Sequence, residues 1–330
     1  MFKNKTIFIS ALDWGLGHAT RCVPIIRQLQ TNNTVIIGTT PLTRLIFDEE
    51  FPELLKIDIV PYNIKYSNKI SVIAKLLLNA PRLLKVIKTE KQQLAEIIKK
   101  HKVDVVISDN RLGLYNTKIE SIYITHQVNL QAGILSKVGN FIHHSYIKKF
   151  NQLWIPDFED PQFALAGKLS AKGKLENVKY IGPLSRLSSS ENTNTHFEYL
   201  FLLSGPEPYR TDLENALLKI TSKSTKPICL VRGTTNHLTT KIPANTKVFD
   251  LPKASVLSEL IVNSETIICR SGYSTLMDLN KLNKKKLILI PTPTQTEQEY
   301  LAELHSKNAK YHFLNQNELN KLQNVIKSLI

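Results

Sequence analysis

Short apolar runs alternate with helix-spaced segments along most of the chain. Residues 6–10 (TIFIS) form an apolar run of strand length. A glycine-containing loop and a helical pattern over 20–30 follow it. Further strand-like runs lie at 34–38 (TVIIG), 103–108 (VDVVIS) and 122–125 (IYIT), the second of them after a long basic helix. Strands separated by helices in this order predict a parallel, doubly wound sheet.

The pattern then restarts. After a run at 178–182, residues 183–194 are polar with almost no apolar anchors and read as a linker. Beyond it, residues 199–203, 227–231, 247–251, 266–269 and 286–290 again read as buried strands spaced by helices. The predicted fold class is α/β with two Rossmann-like, doubly wound domains. The first covers 1–185, a linker covers 186–196, and the second covers 197–316. A last helix at about 317–330 is expected to pack back on the first domain. A length of 330 residues suits two domains of about 150 each.

The net charge of +15 changes the picture of partners. Residues 65–102 hold ten Lys/Arg against Glu90 and Glu96. Aromatic residues are not interleaved with this stretch, and no helix-turn-helix, zinc-finger or RNP signature appears, which argues against nucleic acid. Residues 70–88 (ISVIAKLLLNAPRLLKVIK) place apolar side chains at helical spacing on both sides of Pro81, among lysines and arginines. Two readings fit: a core-facing helix with a solvated basic side, or an interfacial segment at an anionic membrane surface through 70–102. Pro81 predicts two short helices meeting there. There is neither a signal-peptide pattern nor an apolar run of about 20 residues. The expected location is cytoplasmic, or peripheral at the inner face of the cell membrane. The cysteines, Cys22, Cys229 and Cys269, lack ligand spacing and read as buried thiols in a reducing compartment.

Four loops carry candidate chemistry. The first, Asp13-Trp14-Gly15-Leu16-Gly17-His18, follows the first strand. It departs from a dinucleotide fingerprint because Thr20 stands at the third glycine's place. His18 is a candidate general base at the carboxyl end of a strand. The second, Ser204-Gly205-Pro206-Glu207-Pro208-Tyr209-Arg210, repeats the strand–loop–helix geometry that suits phosphate. The third, Arg270-Ser271-Gly272-Tyr273-Ser274-Thr275-Leu276-Met277-Asp278, offers hydroxyl and N–H donors at a helix start and a carboxylate for a ribose diol; plain N-capping explains the same hydroxyls. The fourth, residues 291–300, has two prolines, Gln295, a helix opened by Thr296 as cap, and Glu297 and Gln298. Asp109-Asn110-Arg111 and His126-Gln127 also end strands, where acceptor recognition and loop capping are both open. His126 and Asp109 are rival bases to His18. Residues 157–160 (DFED) read as a solvated loop and not as a metal site.

Together these loops resemble the GT-B glycosyltransferases, most closely the family of the peptidoglycan N-acetylglucosaminyltransferase that completes a lipid-linked disaccharide. Gly15, Gly17 and His18 match that family's first loop. Arg270, Ser271, Gly272, Thr275 and Asp278 match its Arg-Ser-Gly-x-x-Thr-x-x-Glu stretch, with Asp for Glu, and Glu297 and Gln298 match its last helix start. Two places depart: Ser204–Pro208 replaces a Gly-Gly-Ser-x-Gly run, and Leu301-Ala302 replaces Asn-Ala. The resemblance implies two domains facing a cleft, and an inverting, metal-independent transfer of a hexose or N-acetylhexosamine. The donor would be a nucleotide-sugar, UDP-sugar foremost, acting as a substrate with no cofactor or metal. The acceptor would be a lipid-linked, cell-envelope or glycan molecule. Donor-binding candidates are Gly15, Gly17, Ser204, Gly205, Arg210, Arg232, Arg270, Ser271, Gly272, Ser274, Thr275, Asp278, Gln295, Glu297 and Gln298. A nucleotide-sugar 2-epimerase of the same fold and a non-catalytic nucleotide-sugar-binding protein are the alternatives.

Overall fold

The computed structural model describes residues 2–62, 80–130, 136–188, 196–236, 240–308 and 311–328. It divides into two compact units, 1–186 and 187–330. Most of the expected linker, 189–195, and residues 70–79 of the basic segment lie outside the described residues.

The first unit is a seven-stranded parallel sheet in the order β3-β2-β1-β4-β5-β6-β7. Its strands are β1 (Thr6–Ala11), β2 (Thr34–Thr39), β3 (Leu55–Asp58), β4 (Val105–Asp109), β5 (Glu120–Ile124), β6 (Gln152–Ile155) and β7 (Val178–Tyr180). The helices between them are α1 (Leu16–Leu29), α2 (Pro41–Glu50), α3 (Ala80–His101) and α4 (Ser136–Ile147). Side chains alternate across a strand, so β1 feeds two cores. Ile7 and Ile9 pack with Val23, Ile26 and Phe47 of α1 and α2. Phe8 points the other way, among Leu94 and Ile97 of α3.

Helix α3 settles part of the basic segment. Val86, Ile87, Leu94 and Ile97 are buried, whereas Arg82, Lys85, Lys88, Lys91, Lys99 and Lys100 are exposed. From Ala80 onward the stretch is therefore a core-facing helix with a basic outer side, and Leu84 is its exposed large apolar residue. Pro81 sits in the first turn, where a missing N–H costs nothing.

The second unit has six parallel strands in the order β10-β9-β8-β11-β12-β13. They are β8 (Phe197–Leu202), β9 (Ile228–Val231), β10 (Thr246–Phe249), β11 (Ser264–Cys269), β12 (Leu287–Leu289) and β13 (Tyr311–Phe313). Helices α5 (Tyr209–Ile220), α6 (Ala254–Val262), α7 (Tyr273–Lys281), α8 (Thr296–Ser306) and α9 (Leu322–Ser328) connect and close them. Leu319 and Leu322 are buried with Leu213 and Leu217 of α5. Leu319 and Leu322 thus add to the second unit's own core. In both sheets the first strand lies between the second and the fourth of its series, and the crevice beyond that reversal is where such sheets place ligands.

A buried ion pair locks α3 to the first unit's carboxyl edge. Arg111 has no exposed surface; its Nε donates to Glu90 at 2.7 Å, and its other nitrogens donate to the carbonyls of Ala11 and Val60. Tyr62 Oη and the Gly113 amide donate to the second Glu90 oxygen, both at 2.9 Å. Of the two readings open for Arg111, acceptor recognition and a structural role, these bonds give it a structural role. Asp157 is likewise no solvated loop residue. It is buried and accepts from the amides of Phe158, Leu165 and Ala166 and from Ser170 Oγ. No helix among the described residues is long and apolar enough to cross a membrane.

Truncating Glu90 to Ala removes the closer carboxylate from the buried Arg111 cation and leaves it Asp13 at 3.6 Å. The expected cost to the first unit is about 3–5 kcal/mol. Both tryptophans, Trp14 and Trp154, lie in this unit, so tryptophan fluorescence during urea unfolding reads it selectively.

Candidate functional site

In the first unit the site forms around the carboxyl ends of β1 and β4, which are hydrogen-bonded neighbours with Ala11 opposite Asp109. Gly15 begins α1 at φ 147°, a conformation that side-chain-bearing residues rarely adopt. The chain can then turn directly from strand to helix. His18 and Arg21, three residues apart, share one helix face. That face meets Asp109.

Asp109 is fully buried and accepts from several donors. His18 Nδ1 lies 2.7 Å from Oδ1, and Arg21 donates through Nε to one oxygen and through a terminal nitrogen to the other. The third Arg21 nitrogen contacts His126 Nδ1 at 3.0 Å, and Cys22 Sγ lies 3.5 Å from Asp109. His18 of α1, Asp109 at the end of β4 and His126 in the loop after β5 are thus in one network. Arg21, which the sequence reading did not single out, is its hub. An arginine three residues after the histidine on a helix was the available signal.

The electrostatics follow from this packing. Burial alone would raise the Asp109 carboxyl, but Arg21 and His18 hold it well below the usual carboxylate range. For His18 the dominant effect is burial, then the Arg21 cation, and both lower it; Asp109 raises it without cancelling them. The imidazole is therefore neutral at pH 7. His18 Nδ1 and an Arg21 terminal nitrogen, 2.8 Å apart, converge on the same Asp109 oxygen. The ionised carboxylate only accepts, so we assign the proton to Nδ1 facing it and the lone pair to Nε2. His18 keeps 18% of its side chain exposed, whereas Asp109 has none.

In the second unit three loops leave the adjacent strands β8, β11 and β12. Gly205 stands at φ 101°; a Cβ there would lie 3.2 Å from Thr292 Oγ1 and 3.8 Å from Arg270 Nε. Both of those atoms are buried without a hydrogen-bond partner. The rest of the Arg270 guanidinium donates to the carbonyls of Ile290, Pro291 and Tyr209. Arg270 is thus a fully buried cation that meets only neutral acceptors, and burial pushes it down to about 10. Ser271 Oγ donates to the Gln298 carbonyl at 2.7 Å. The Gln298 side chain accepts from the Thr292 amide at 2.9 Å and donates to Gln295 Oε1. Ser271 and Gln298 therefore clasp two loops together.

Helices α7 and α8 begin at Gly272 and Gln295, neither of which caps its helix through its side chain. Thr296, expected as the α8 cap, is the first residue of the helix itself. Ser274, Thr275, Asp278 and Glu297 are half-buried around these helix starts, and Ser204 is exposed.

Two expected donor cations are committed elsewhere. Arg210 donates to Glu207 and Glu214 at 2.7 Å each, and Arg232 donates to Glu214 at 2.9 Å and Asp250 at 2.7 Å. Both are nearly fully buried, and their charges are met inside the protein. Among the described residues one His/Glu group has metal-ligand proximity: His196, Glu198 and Glu265, within 4.8 Å. It lies at the amino edge of the sheet, where Lys226 and Lys286 already pair with the glutamates.

Residues 213–330 match the glycosyltransferase family 28 C-terminal domain. The chain is similar in fold to solved glycosyltransferases. The kitacinnamycin glycotransferase is 13% identical, with a TM-score of 0.68, over 99% of this chain and 91% of that one. The spinosyn rhamnosyltransferase SpnG complexed with thymidine diphosphate is 12% identical, with a TM-score of 0.66, over 98% and 93%. MurG of Acinetobacter baumannii is 13% identical, with a TM-score of 0.55, over 98% and 92%. Among curated proteins nothing matches. The chain is a glycosyltransferase of the GT-B fold, and its second unit carries the family 28 C-terminal domain.

Because Asp109 supplies the raising contact on His18, Asp109→Asn is expected to move the His18 midpoint further below the ordinary 6.5. Imidazole NMR of the full chain, followed from pH 4 to 8, measures it; an upward movement contradicts the assigned balance.

Proposed function

We propose that the second unit binds a nucleoside-diphosphate sugar, UDP-sugar foremost, and that the first unit supplies the base for its transfer to an acceptor hydroxyl. The observation that carries the donor half is Arg270, a buried cation without a carboxylate among its bonds, whose Nε lies with Thr292 Oγ1 beside Gly205. A diphosphate oxygen would satisfy both donors. The N-terminal ends of α7 and α8 would add their dipoles to the same anion. SpnG, of the same fold, binds thymidine diphosphate, which supports a nucleoside diphosphate as ligand class. Asp278 would take the ribose diol.

In this reading His18 Nε2 removes the acceptor hydroxyl proton while the oxygen attacks the anomeric carbon. The bond to the diphosphate breaks, configuration inverts, and the nucleoside diphosphate departs without help from a metal. Asp109 then stabilises the imidazolium. Acceptor identity rests on the resemblance to the lipid-linked disaccharide enzymes, so a lipid-linked or glycan hydroxyl is the first choice. The exposed basic side of α3 would meet an anionic membrane surface by charge more than by apolar insertion.

A panel of UDP-, GDP- and TDP-sugars with lipid acceptors tests the activity. Transfer supports it, whereas an isomerised donor sugar indicates a 2-epimerase and binding without turnover a sensor. Thr292→Val and Gly205→Ala, which remove a donor and narrow the cradle, are expected to weaken UDP binding by about 10- to 100-fold in calorimetry. Unchanged affinity in both folded variants contradicts the phosphate assignment. His18→Ala should lower kcat by roughly 10²–10⁴ with donor affinity kept. Retained kcat places the base elsewhere.

A further inference from the structure

We propose that Arg21 is a positioning residue for the base: its guanidinium clamps Asp109 and His126 and so fixes both the tautomer and the neutral state of His18. This rests on the reading of His18 as the base. A carboxylate paired with a histidine alone favours imidazolium. Here the same carboxylate is already occupied. Arg21 reaches both Asp109 oxygens through Nε and a terminal nitrogen, and its remaining terminal nitrogen stands 3.0 Å from His126 Nδ1. The terminal nitrogen that donates to Asp109 lies 2.8 Å from His18 Nδ1; with Nδ1 protonated this is no hydrogen bond but two N–H groups converging on one Asp109 oxygen. A planar fork with fixed donor directions can hold carboxylate and imidazole together; a flexible ammonium cannot reach all three.

Three charged or titratable groups act on His18. Arg21 comes from its own helix, Asp109 from the end of β4, and His126 from the loop after β5; Cys22, on the same helix, contacts Asp109. Asp109 is the anion among them, and Arg21 offsets it. Protonating His18 would place a second cation within hydrogen-bond distance of a buried guanidinium. Burial also penalises the imidazolium, so both effects keep the lone pair on Nε2 available. Withdrawing the Arg21 charge leaves Asp109 opposed chiefly by burial and shifts the balance toward the imidazolium. The consequence for a base catalyst is specific. With Arg21 present, His18 accepts a proton from a hydroxyl in the reaction but does not hold one beforehand.

The test uses the full chain, labelled with ¹³C and ¹⁵N at histidine, without substrates. The His18 resonance is identified by its loss in His18→Asn. In the unsubstituted protein the ¹⁵N shifts should report the Nδ1–H tautomer, with a midpoint below 6.5. Arg21→Gln is expected to raise the His18 midpoint by about one unit or more. Arg21→Lys keeps a cation without the fork; it should leave the midpoint within about half a unit while the tautomer signal becomes mixed. A midpoint unmoved or lowered in Arg21→Gln overturns the proposal, because a merely structural arginine predicts loss of stability without that shift. If Arg21→Gln does not fold, Arg21→Lys decides: an unmixed Nδ1–H tautomer overturns the clamp. None of these readouts depends on sugar transfer, so failure of the proposed activity and failure of this inference are separable.

Discussion

A carboxylate with no exposed surface sits at the end of β4, and the first unit's functional edge is arranged around it. Left alone, a buried Asp109 would cost several kcal/mol or take up a proton. It stays ionised because Arg21 comes from α1 with a two-pronged contact and His18 comes one turn before it. Since those donors belong to α1 and the acceptor to β4, the charge balance sets how α1 leaves its strand. The Gly15 turn supplies the required angle. His126 enters through the outer side of the same guanidinium. One interaction thus orders three loops.

The second unit uses buried charge in the opposite way. Arg210 and Arg232 are compensated by Glu207, Glu214 and Asp250, and they brace the loops after β8 and β9. Arg270 is not. Its bonds go to carbonyls, which satisfy N–H groups but do not cancel a charge. A fold keeps such a cation in the interior when something outside the chain completes it, or when the strain is tolerated for a function. The arrangement around Gly205, with two unpartnered donors at the place a side chain would fill, favours the first explanation.

The doubly wound architecture was legible because apolar runs bounded by helical spacing are a strong, local signal. The strands that the pattern missed, β3, β6 and β13, are only three or four residues long, and β3 and β13 lie at sheet edges. There a face is half-exposed and the alternation fades. Loop glycines and His18 were also legible, since a histidine beside a glycine turn at a strand end has few structural reasons to be there. Arg21 was not singled out: its spacing of three from His18 put both on one helix face, but the acid that turns it inward, Asp109, lies 88 residues away. Asp157 misled for the same reason: a run of acids reads as solvated until the amides that it caps are seen.

Arginine's role in this chain therefore depends on partners far along the sequence. Arg111 and Glu90 lie 21 residues apart, Arg21 and Asp109 lie 88 apart, and each pair is closed only by the fold. A residue type and a motif place a cation at a loop; they do not say whether its charge is spent. Arg210, Arg232 and Arg270 look alike in the sequence, each at the end of a strand or the start of a helix. Once the acids are placed, two become braces, and Arg270 remains as the charge that a ligand can answer. That distinction, more than the net charge of +15, is what the proposed phosphate site rests on. Much of the excess on α3 is exposed and screened by water and salt, whereas the Arg270 charge acts in a dry loop cluster at full strength.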